Sequence, residues 1–137
     1  MGSHVLVVED DDVIRALMGE LLRGEGCTVS VARDGGEALA LLRTSHRGEV
    51  SEASKGTAHP DVVLLDWRLP DLDGGAFLRT YRARPGPHAP IVVITASPGI
   101  AARALAESGA AAVVEKPIAF DALLDALRPF VACLQRN

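Results

Sequence analysis

Carboxylate side chains stand at the ends of two apolar runs of the sequence. Glu9 and Asp10 follow the run at residues 4–8, and Asp66 follows the run at 61–65. Carboxylates that are brought close together repel one another and are costly to keep ionised unless a cation joins them. A hard divalent ion such as Mg²⁺ or Mn²⁺ prefers oxygen ligands of this kind and keeps positions for water or a phosphate oxygen. The three acids therefore predict a divalent-metal site.

A hydroxyl group and an ammonium group stand at the ends of two further apolar runs. Thr95 lies near the end of the run at 90–96, and Lys116 follows the run at 110–115. Beside three acids, a lysine and a threonine can hold the oxygens of a phosphoryl group, the lysine as a point charge and the threonine as a hydrogen-bond donor. Asp66 can then act as a nucleophile that attacks phosphorus and becomes an aspartyl phosphate.

The elements that must position these groups alternate between strands and helices. Five apolar runs have the length and the Val, Ile and Leu content of strands, and they cover residues 4–8, 28–32, 61–65, 90–96 and 110–115. Five segments between and after them have apolar residues at helical spacing; the fourth includes Ile100 and Leu105, and the fifth includes Phe120 and Leu127. This alternation predicts an α/β fold, a single doubly wound (βα)5 domain with a parallel sheet and helices on both faces.

The apolar pattern of the runs predicts the strand order. The first, third and fourth runs are almost continuously apolar, which is typical of strands buried on both faces. The second alternates Val29 and Val31 with Thr28 and Ser30, as an edge strand does. The order 2-1-3-4-5 is compatible with this pattern, and it makes the first and third strands neighbours. Ligands of such sheets bind beyond the carboxyl ends of the strands.

The composition excludes several other classes of protein. With 137 residues, 48% of them hydrophobic, the chain has the size and apolar content of one folded domain. A net charge of −4 without a basic run argues against direct binding to nucleic acid, and no apolar stretch approaches the ~20 residues of a membrane span. We expect residues 1–4 to be an N-terminus or tag remnant, 5–134 the domain and 135–137 a tail. Cys27 and Cys133 lack metal-site spacing, and we interpret them as small apolar residues in a reducing, cytoplasmic setting.

The motifs at the four strand ends resemble those of the receiver domains of two-component response regulators. The resemblance extends from Val5 to about Leu134. Any one of these motifs has little specificity, but all four in this order at strand ends are strongly specific. The motifs are VVEDDD (7–12), LLDWRLPDLDG (64–74), VVITA (92–96) and VVEKP (113–117).

The resemblance implies roles for the acidic residues and for the loop that follows Asp66. Asp66 corresponds to the phosphoacceptor, Asp10 to a direct metal ligand, and Glu9 to an acid that acts on the metal through water. The backbone carbonyl of Arg68 corresponds to a further metal ligand. Receivers tune the lifetime of the phosphoryl group two residues after the acceptor and two after the threonine, here at Arg68 and Ser97. A long Arg68 side chain could cover the acyl phosphate and restrict attacking water.

The resemblance also implies a switch at the fourth and fifth strands. Thr95 corresponds to the hydroxyl that follows the phosphoryl group, and Lys116 to its lysine contact. The peptide bond between Lys116 and Pro117 is expected to be cis. Receivers usually have an aromatic residue three positions before the lysine, where this chain has Val113. The usual aromatic half of the switch is therefore absent.

The implied function is phosphoryl transfer that depends on Mg²⁺ or Mn²⁺, from a histidine kinase or a histidine phosphotransfer protein to Asp66. Phosphorylation would shift a two-state equilibrium of the surface from the fourth to the fifth helical segment, which controls an output partner or a homodimer. Such a domain catalyses its own phosphorylation and dephosphorylation and turns over no separate substrate. No direct contact with nucleic acid or membrane is expected.

Two other classes of protein stay open as alternatives. Phosphatases of the haloacid dehalogenase type also combine an aspartate nucleophile with Mg²⁺, but they have a second acid two residues later, where this chain has Arg68. A nucleotide-binding or purely adaptor domain with a flavodoxin-like fold is the other alternative. Against nucleotide binding, the sequence has no G-x-G-x-x-G after a strand and no P-loop.

Several further polar residues are interpreted as structural. Asp11 or Asp12 could cap the first helix, and Asp71 and Asp73 are turn and helix-start residues. The polar segment 44–59 is predicted to be an extended loop between the second helix and the third strand, which costs little in loop-closure entropy. Three histidines are interpreted as solvated loop residues, namely His46, His59 and His88.

Overall fold

Strands and helices alternate along the chain. The computed structural model describes residues 3–46, 60–85, 87–97, 99, 102–103 and 109–134. Its strands are β1 (His4–Val8), β2 (Thr28–Ala32), β3 (Val62–Asp66), β4 (Ile91–Thr95) and β5 (Ala112–Glu115). Its helices are α1 (Asp12–Gly24), α2 (Gly35–His46), α3 (Gly74–Arg82), α4 (Phe120–Leu127) and a short 3-10 helix, Ala132–Leu134. Helix α4 is the fifth predicted helical segment, because most of the fourth lies outside the described residues. None of the described helices is long and apolar enough to cross a membrane.

The five strands form one parallel sheet in the order β2-β1-β3-β4-β5. This confirms the predicted fold class and strand order. Strands β1, β3 and β4 are buried along their whole length, as their continuous apolar runs predict. The edge strand β2 exposes Thr28 and also Val31, while Val29 and Ser30 are half-buried, so its exposure does not follow the alternation of its sequence.

The sheet buries one apolar cluster on each face. Because successive residues of a strand point to opposite faces, a continuous apolar run fills both clusters at once. On the face covered by α2 and α3, the cluster includes Leu6, Leu42, Leu65, Phe77 and Val93. On the face covered by α1 and α4, the cluster includes Val5, Leu22, Leu64, Ile94 and Leu127. This packing fixes the carboxyl ends of the central strands relative to one another.

Aspartates start two of the helices, as the sequence predicts. Asp11 accepts hydrogen bonds at 2.9 and 3.0 Å from backbone N–H groups in the first turn of α1, and Asp73 accepts one at 2.8 Å in the first turn of α3. Helix α2 differs from the prediction because it continues to His46, three residues into the expected loop at 44–59. No glycine or proline interrupts those three residues, so nothing ends the helix before them. Residues 47–59 lie outside the described part of the chain.

Cys27 lies in the turn between α1 and β2 and is disulfide-bonded. The sequence has one other cysteine, Cys133. Cys27 is buried in the same apolar cluster as Val131 and Leu134. Cys27 and Cys133 lie far apart along the chain, so their spacing in the sequence could not indicate a disulfide.

Candidate functional site

The residues predicted to carry chemistry come together at one edge of the sheet. Glu9 follows β1, Asp66 is the last residue of β3, Thr95 is the last residue of β4, and Lys116 follows β5. The carboxyl ends of parallel strands meet at one edge, which is where α/β sheets bind their ligands. Asp66 was expected just beyond its strand, but it pairs with Ile94 and is therefore held by the sheet itself.

Three carboxylates form an acidic cluster at this edge. One carboxylate oxygen from each of Glu9, Asp10 and Asp66 lies within 4.8 Å of the others. Glu9 and Asp66 are 1% and 3% exposed, whereas Asp10 is exposed to solvent. Buried acids so close together are costly to ionise without a compensating cation.

The donor set of this cluster fits a hard divalent cation. Glu9 Oε2 accepts a hydrogen bond from the backbone N–H of Asp11 at 3.2 Å. Glu9 Oε1 is also buried, and it has no hydrogen-bond partner among the residues that the structure describes. A buried acceptor without a donor is unusual in a folded protein. A bound cation, directly or through one of its waters, would satisfy it.

Burial raises the pKa of Glu9 from its usual 4.5 to about 7. The negative charge of Asp66 adds to the increase, while the backbone N–H of Asp11 and the charge of Lys116 oppose it. Without a cation, Glu9 is therefore close to half protonated at neutral pH. Metal binding requires the ionised carboxylate, so proton and cation compete at this cluster.

This raised pKa predicts that metal-free protein becomes more stable as the pH falls. Glu9 has a higher pKa in the folded than in the unfolded chain, so the ionised carboxylate lowers the free energy of unfolding. This destabilisation is complete above about pH 7 and disappears as the pH falls toward 4.5. We expect the free energy of unfolding of the wild type, relative to Glu9→Gln, to rise by about 2 kcal/mol between about pH 7.5 and pH 5.5. Chemical denaturation in chelator-treated buffer measures this difference. Parallel pH curves for the two proteins would contradict the prediction.

Asp66 receives two donors on one oxygen. Lys116 Nζ lies 3.3 Å from Asp66 Oδ1, and the backbone N–H of Arg68 donates to the same oxygen at 3.3 Å. The lysine side chain is 31% exposed, whereas that of Asp66 is 4% exposed. The peptide bond between Lys116 and Pro117 is cis, which is the isomer that the sequence analysis expects.

A cavity of about 220 Å³ opens in front of Asp66. Thr95 is 4% exposed, and its Oγ1 accepts a hydrogen bond from the backbone N–H of Ser97 at 3.2 Å. The hydroxyl hydrogen is thereby left to donate elsewhere. The cavity brings together a carboxylate, an ammonium and a hydroxyl, and it is lined by Asp66, Trp67, Arg68, Thr95, Ala96, Ser97 and Lys116.

Comparison with known proteins identifies the family. Residues 5–128 match the family described as response regulator receiver domain. The chain is 42% identical over 95 residues to the alkaline phosphatase synthesis transcriptional regulatory protein SphR of Synechococcus elongatus, an alignment that covers 69% of this chain and 35% of SphR. It is 36% identical over 138 residues to the DNA-binding response regulator MtrA of Mycolicibacterium smegmatis, which covers 100% of this chain and 53% of MtrA. The chain belongs to the response regulator receiver domain family.

Solved structures with the same fold agree with this family. A putative response regulator from Chloroflexus aurantiacus has a TM-score of 0.77 at 28% identity, covering 99% of this receiver domain and 100% of that chain. A chain from the co-crystal structure of the Saccharomyces cerevisiae phosphotransfer protein Ypd1 with the receiver domain of Ssk1 has a TM-score of 0.74 at 25% identity. That match covers 98% of this chain and 91% of the other. The receiver domain spans about half the length of most of the curated relatives it matches.

Arg15 supports the acidic cluster of the receiver domain, and sequence reasoning missed it. Its guanidinium group donates to the backbone carbonyl of Glu9 at 3.0 Å and reaches that of Asp10 at 3.5 Å. It also pairs with the side chain of Asp12. The arginine side chain is only 14% exposed. The one sequence signal was an arginine one helical turn after the helix start, which is too common to single out.

The position where receivers usually have an aromatic residue is occupied by Val113. Val113 lies half-buried on β5 and packs against the apolar cluster under α2 and α3, so a small apolar side chain occupies the position of the expected aromatic.

His88 was interpreted as solvated, which is wrong. The ring is half-buried, hydrogen-bonded to the Arg84 carbonyl at 2.7 Å and edge-on to Tyr81 at 5.0 Å. The side chain of His46 and all of His59 lie outside the described part of the chain.

Proposed function

We propose that this receiver domain accepts a phosphoryl group on Asp66 from the phosphohistidine of a histidine kinase or a histidine phosphotransfer protein. The observation that supports it is the arrangement around Asp66: a buried carboxylate with Lys116 Nζ at 3.3 Å and two further acids within 4.8 Å. Buried acids and a cation that converge on one nucleophile are expected at a phosphoryl-transfer site.

In the proposed reaction, a carboxylate oxygen of Asp66 forms a bond to phosphorus while the P–N bond to the donor histidine breaks. The bonding electron pair leaves with the histidine nitrogen. Lys116 and the hydroxyl of Thr95 hold the phosphoryl oxygens. Hydrolysis later returns Asp66 to the free carboxylate, so the domain modifies itself and turns over no separate substrate.

We propose Mg²⁺, or Mn²⁺ in its place, as the cation of the acidic cluster. Asp10, Asp66 and the backbone carbonyl of Arg68 would bind it, and Glu9 would act through a bound water. When bound, the ion offsets negative charge on the transferred group. Arg15 donates to the backbone carbonyls of Glu9 and Asp10 and would thereby help to hold those two acids in position.

The side chains of Arg68 and Ser97 line the cavity and are proposed to set the lifetime of the acyl phosphate. Arg68 is exposed at the opening, where a long cationic side chain would restrict the approach of water. The half-life of the phosphorylated Arg68→Ala protein tests this role. A half-life no shorter than that of the wild type would contradict it.

The function is tested by the fluorescence of Trp67, the only tryptophan of the chain, which adjoins Asp66. Mg²⁺ is titrated first, and beryllofluoride or acetyl phosphate is then added, with Asp66→Ala as the control. We expect a saturable response to each addition, and we expect the second to be lost in Asp66→Ala. Mass spectrometry should locate one phosphoryl group on Asp66. A wild-type protein that takes up no phosphoryl group from acetyl phosphate or from any histidine kinase would refute the proposal.

An apolar groove beside the site is the surface on which we propose that the donor protein docks. Its volume is about 320 Å³, and one wall comes from α1 while the other comes from the start of α4 and the loop before it. Lys116 lines both this groove and the cavity at Asp66, so a partner in the groove lies against the mouth of the site. The groove is lined by Ile14, Leu17, Met18, Leu21, Lys116, Pro117, Ile118, Phe120 and Leu123.

Leu17→Glu is expected to slow phosphorylation by a protein donor without slowing phosphorylation by a small-molecule donor. Leu17 is 52% exposed, so the substitution should leave stability almost unchanged, while a charge in the groove should slow transfer from the kinase about tenfold. Phosphorylation by acetyl phosphate should not change. The measurement uses the histidine kinase that phosphorylates the wild-type domain fastest. Val31→Glu places the same charge on the exposed edge strand as a control, and equal slowing by both variants would argue against docking in the groove.

The output of the domain and its location are also proposals. Phosphorylation is proposed to change the surface from the fourth to the fifth helical segment, where an output partner or a second copy of the domain would bind. A cytoplasmic location is proposed because it suits a kinase-dependent switch, and Cys27, which is disulfide-bonded in the structure, offers a test of it. Alkylation of thiols in intact cells, followed by mass spectrometry, would reveal which redox state Cys27 has there.

A further inference from the structure

The loop between β3 and α3 is tied to the start of α2 by one side chain. Asp71 Oδ1 accepts a hydrogen bond from the backbone N–H of Gly35 at 2.9 Å, and Asp71 Oδ2 accepts one from Gly36 at 2.8 Å. The N–H of Leu72 donates to Oδ1 at 2.9 Å. A residue expected to serve its own turn therefore joins two loops that lie far apart in sequence.

The surroundings of Asp71 are built for this contact. A Cβ atom on Gly35 would stand 2.6 Å from Leu72 Cδ1, so the two loops approach closely there and an alanine would require the Leu72 side chain to shift. Burial raises the pKa of Asp71, but the backbone N–H groups of Gly35, Gly36, Asp71 and Leu72 outweigh it and hold that pKa below its usual 3.8. The carboxylate is thus ionised throughout the physiological range and complements the positive end of α2.

Helix α2 does not depend on Asp71 alone for its cap. Asp34 immediately precedes the helix, and its Oδ1 accepts a hydrogen bond from the N–H of Glu37 at 2.8 Å. Asp71 therefore contributes something that the local cap does not, which is a fixed position for its own loop. A short charged bridge between two loops orders both of them.

The loop that Asp71 holds begins at the phosphoacceptor. At its base, the Trp67 N–H donates to the Ile94 carbonyl at 2.9 Å, and the Gly74 N–H donates to the Trp67 carbonyl at 2.8 Å. These bonds close the loop at both ends but leave its middle, after Arg68, to other contacts. The bridge from Asp71 to α2 fixes that middle part.

We infer that Asp71 is a positioning residue for phosphoryl transfer: by tying its loop to α2, it holds the backbone carbonyl of Arg68 in place to bind Mg²⁺. The inference rests on the proposed function, and it adds a residue that touches neither the phosphoryl group nor the metal. Residues that orient metal ligands in this way affect metal affinity without binding the metal themselves.

The test compares the Mg²⁺ affinities of Asp71→Ala and Asp34→Ala, measured by the fluorescence of Trp67. Both substitutions remove a carboxylate from the start of α2, but only Asp71→Ala releases the acceptor loop. We expect Asp71→Ala to weaken Mg²⁺ binding about tenfold, and we expect Asp34→Ala to leave it unchanged. The melting temperatures of both variants show whether a weaker Mg²⁺ affinity is due to the site itself or to partial unfolding of the protein.

Asp71→Asn distinguishes the effect of the hydrogen bonds made by residue 71 from the effect of its negative charge. The amide oxygen can still accept from Gly35 or Leu72, so this variant should recover part of the affinity although it carries no charge. The loss in Asp71→Ala should also persist at about 0.5 M salt, where interactions between distant charges are screened. The inference is overturned if Asp71→Ala binds Mg²⁺ like the wild type, if Asp34→Ala weakens binding equally, or if the loss disappears at high salt. If the wild type itself gives no Mg²⁺ response, the proposed function fails rather than this step alone.

Discussion

Lys116→Met is expected to slow phosphorylation of Asp66 by acetyl phosphate about 10²- to 10³-fold, which is the usual effect of removing one group that stabilises the transition state. Lys116 Nζ stands 3.3 Å from the carboxylate that attacks phosphorus. The negative charge that develops on the phosphoryl oxygens would then lose the ammonium group of Lys116. Methionine keeps the length and the apolar stem of the side chain, so the fold should be retained.

Lys116→Arg is the matched variant for this prediction. Arginine keeps the positive charge, but its planar guanidinium group does not replace a compact ammonium group in a cavity of about 220 Å³. We expect a rate between those of the wild type and Lys116→Met. Single-turnover phosphorylation at saturating Mg²⁺ measures the rate and excludes an effect through metal affinity alone. A Lys116→Met protein that is phosphorylated at the wild-type rate would contradict the proposed role of the lysine.

The fold could be predicted from sequence because its strands carry unusually clear signals. The runs at 61–65 and 90–96 are continuously apolar over residues 62–65 and 91–94, which occurs when both faces of a strand are covered. The polar residues at the ends of the first, third, fourth and fifth runs predicted the acidic cluster, Thr95 and Lys116 together, since parallel strands bring their carboxyl ends to one edge. The end of the third strand was predicted one residue too early: Asp66 was expected just beyond the strand and is its last residue.

The contacts that sequence could not predict are those made across the fold by ordinary-looking residues. Asp71 has the local pattern of a turn residue, yet its partners Gly35 and Gly36 belong to another element. Arg15 has the sequence pattern of an ordinary helix arginine, yet its guanidinium group donates to the Glu9 carbonyl at 3.0 Å. The Asp71 bonds depend on how two loops pack together, and the Arg15 bond depends on how the side chain folds back over the turn before α1. Neither hydrophobic periodicity nor local propensity predicts such contacts.

Gly74→Ala is expected to lower the free energy of unfolding by about 2–3 kcal/mol, because it adds a methyl group where the structure has no room. Gly74 is buried at the start of α3, and a Cβ atom there would stand 2.4 Å from Trp67 Cε3 and 2.7 Å from Cδ2. Trp67 adjoins Asp66 and lines the same cavity. The indole ring must therefore move, and we expect the fluorescence of Trp67 to change and Mg²⁺ affinity to fall with stability.

Gly75→Ala is the neighbouring control for this substitution. Its Cβ atom would meet its nearest neighbours at 3.4 Å, which is ordinary contact, so the gain in helix propensity should leave the protein as stable as the wild type or slightly more so. Trp67→Leu should remove most of the cost of Gly74→Ala, because the two residues destabilise the protein through one contact. Chemical denaturation followed by circular dichroism gives the four free energies of that cycle. If Gly74→Ala costs the same with and without the indole ring, the glycine is required by its backbone and not by Trp67.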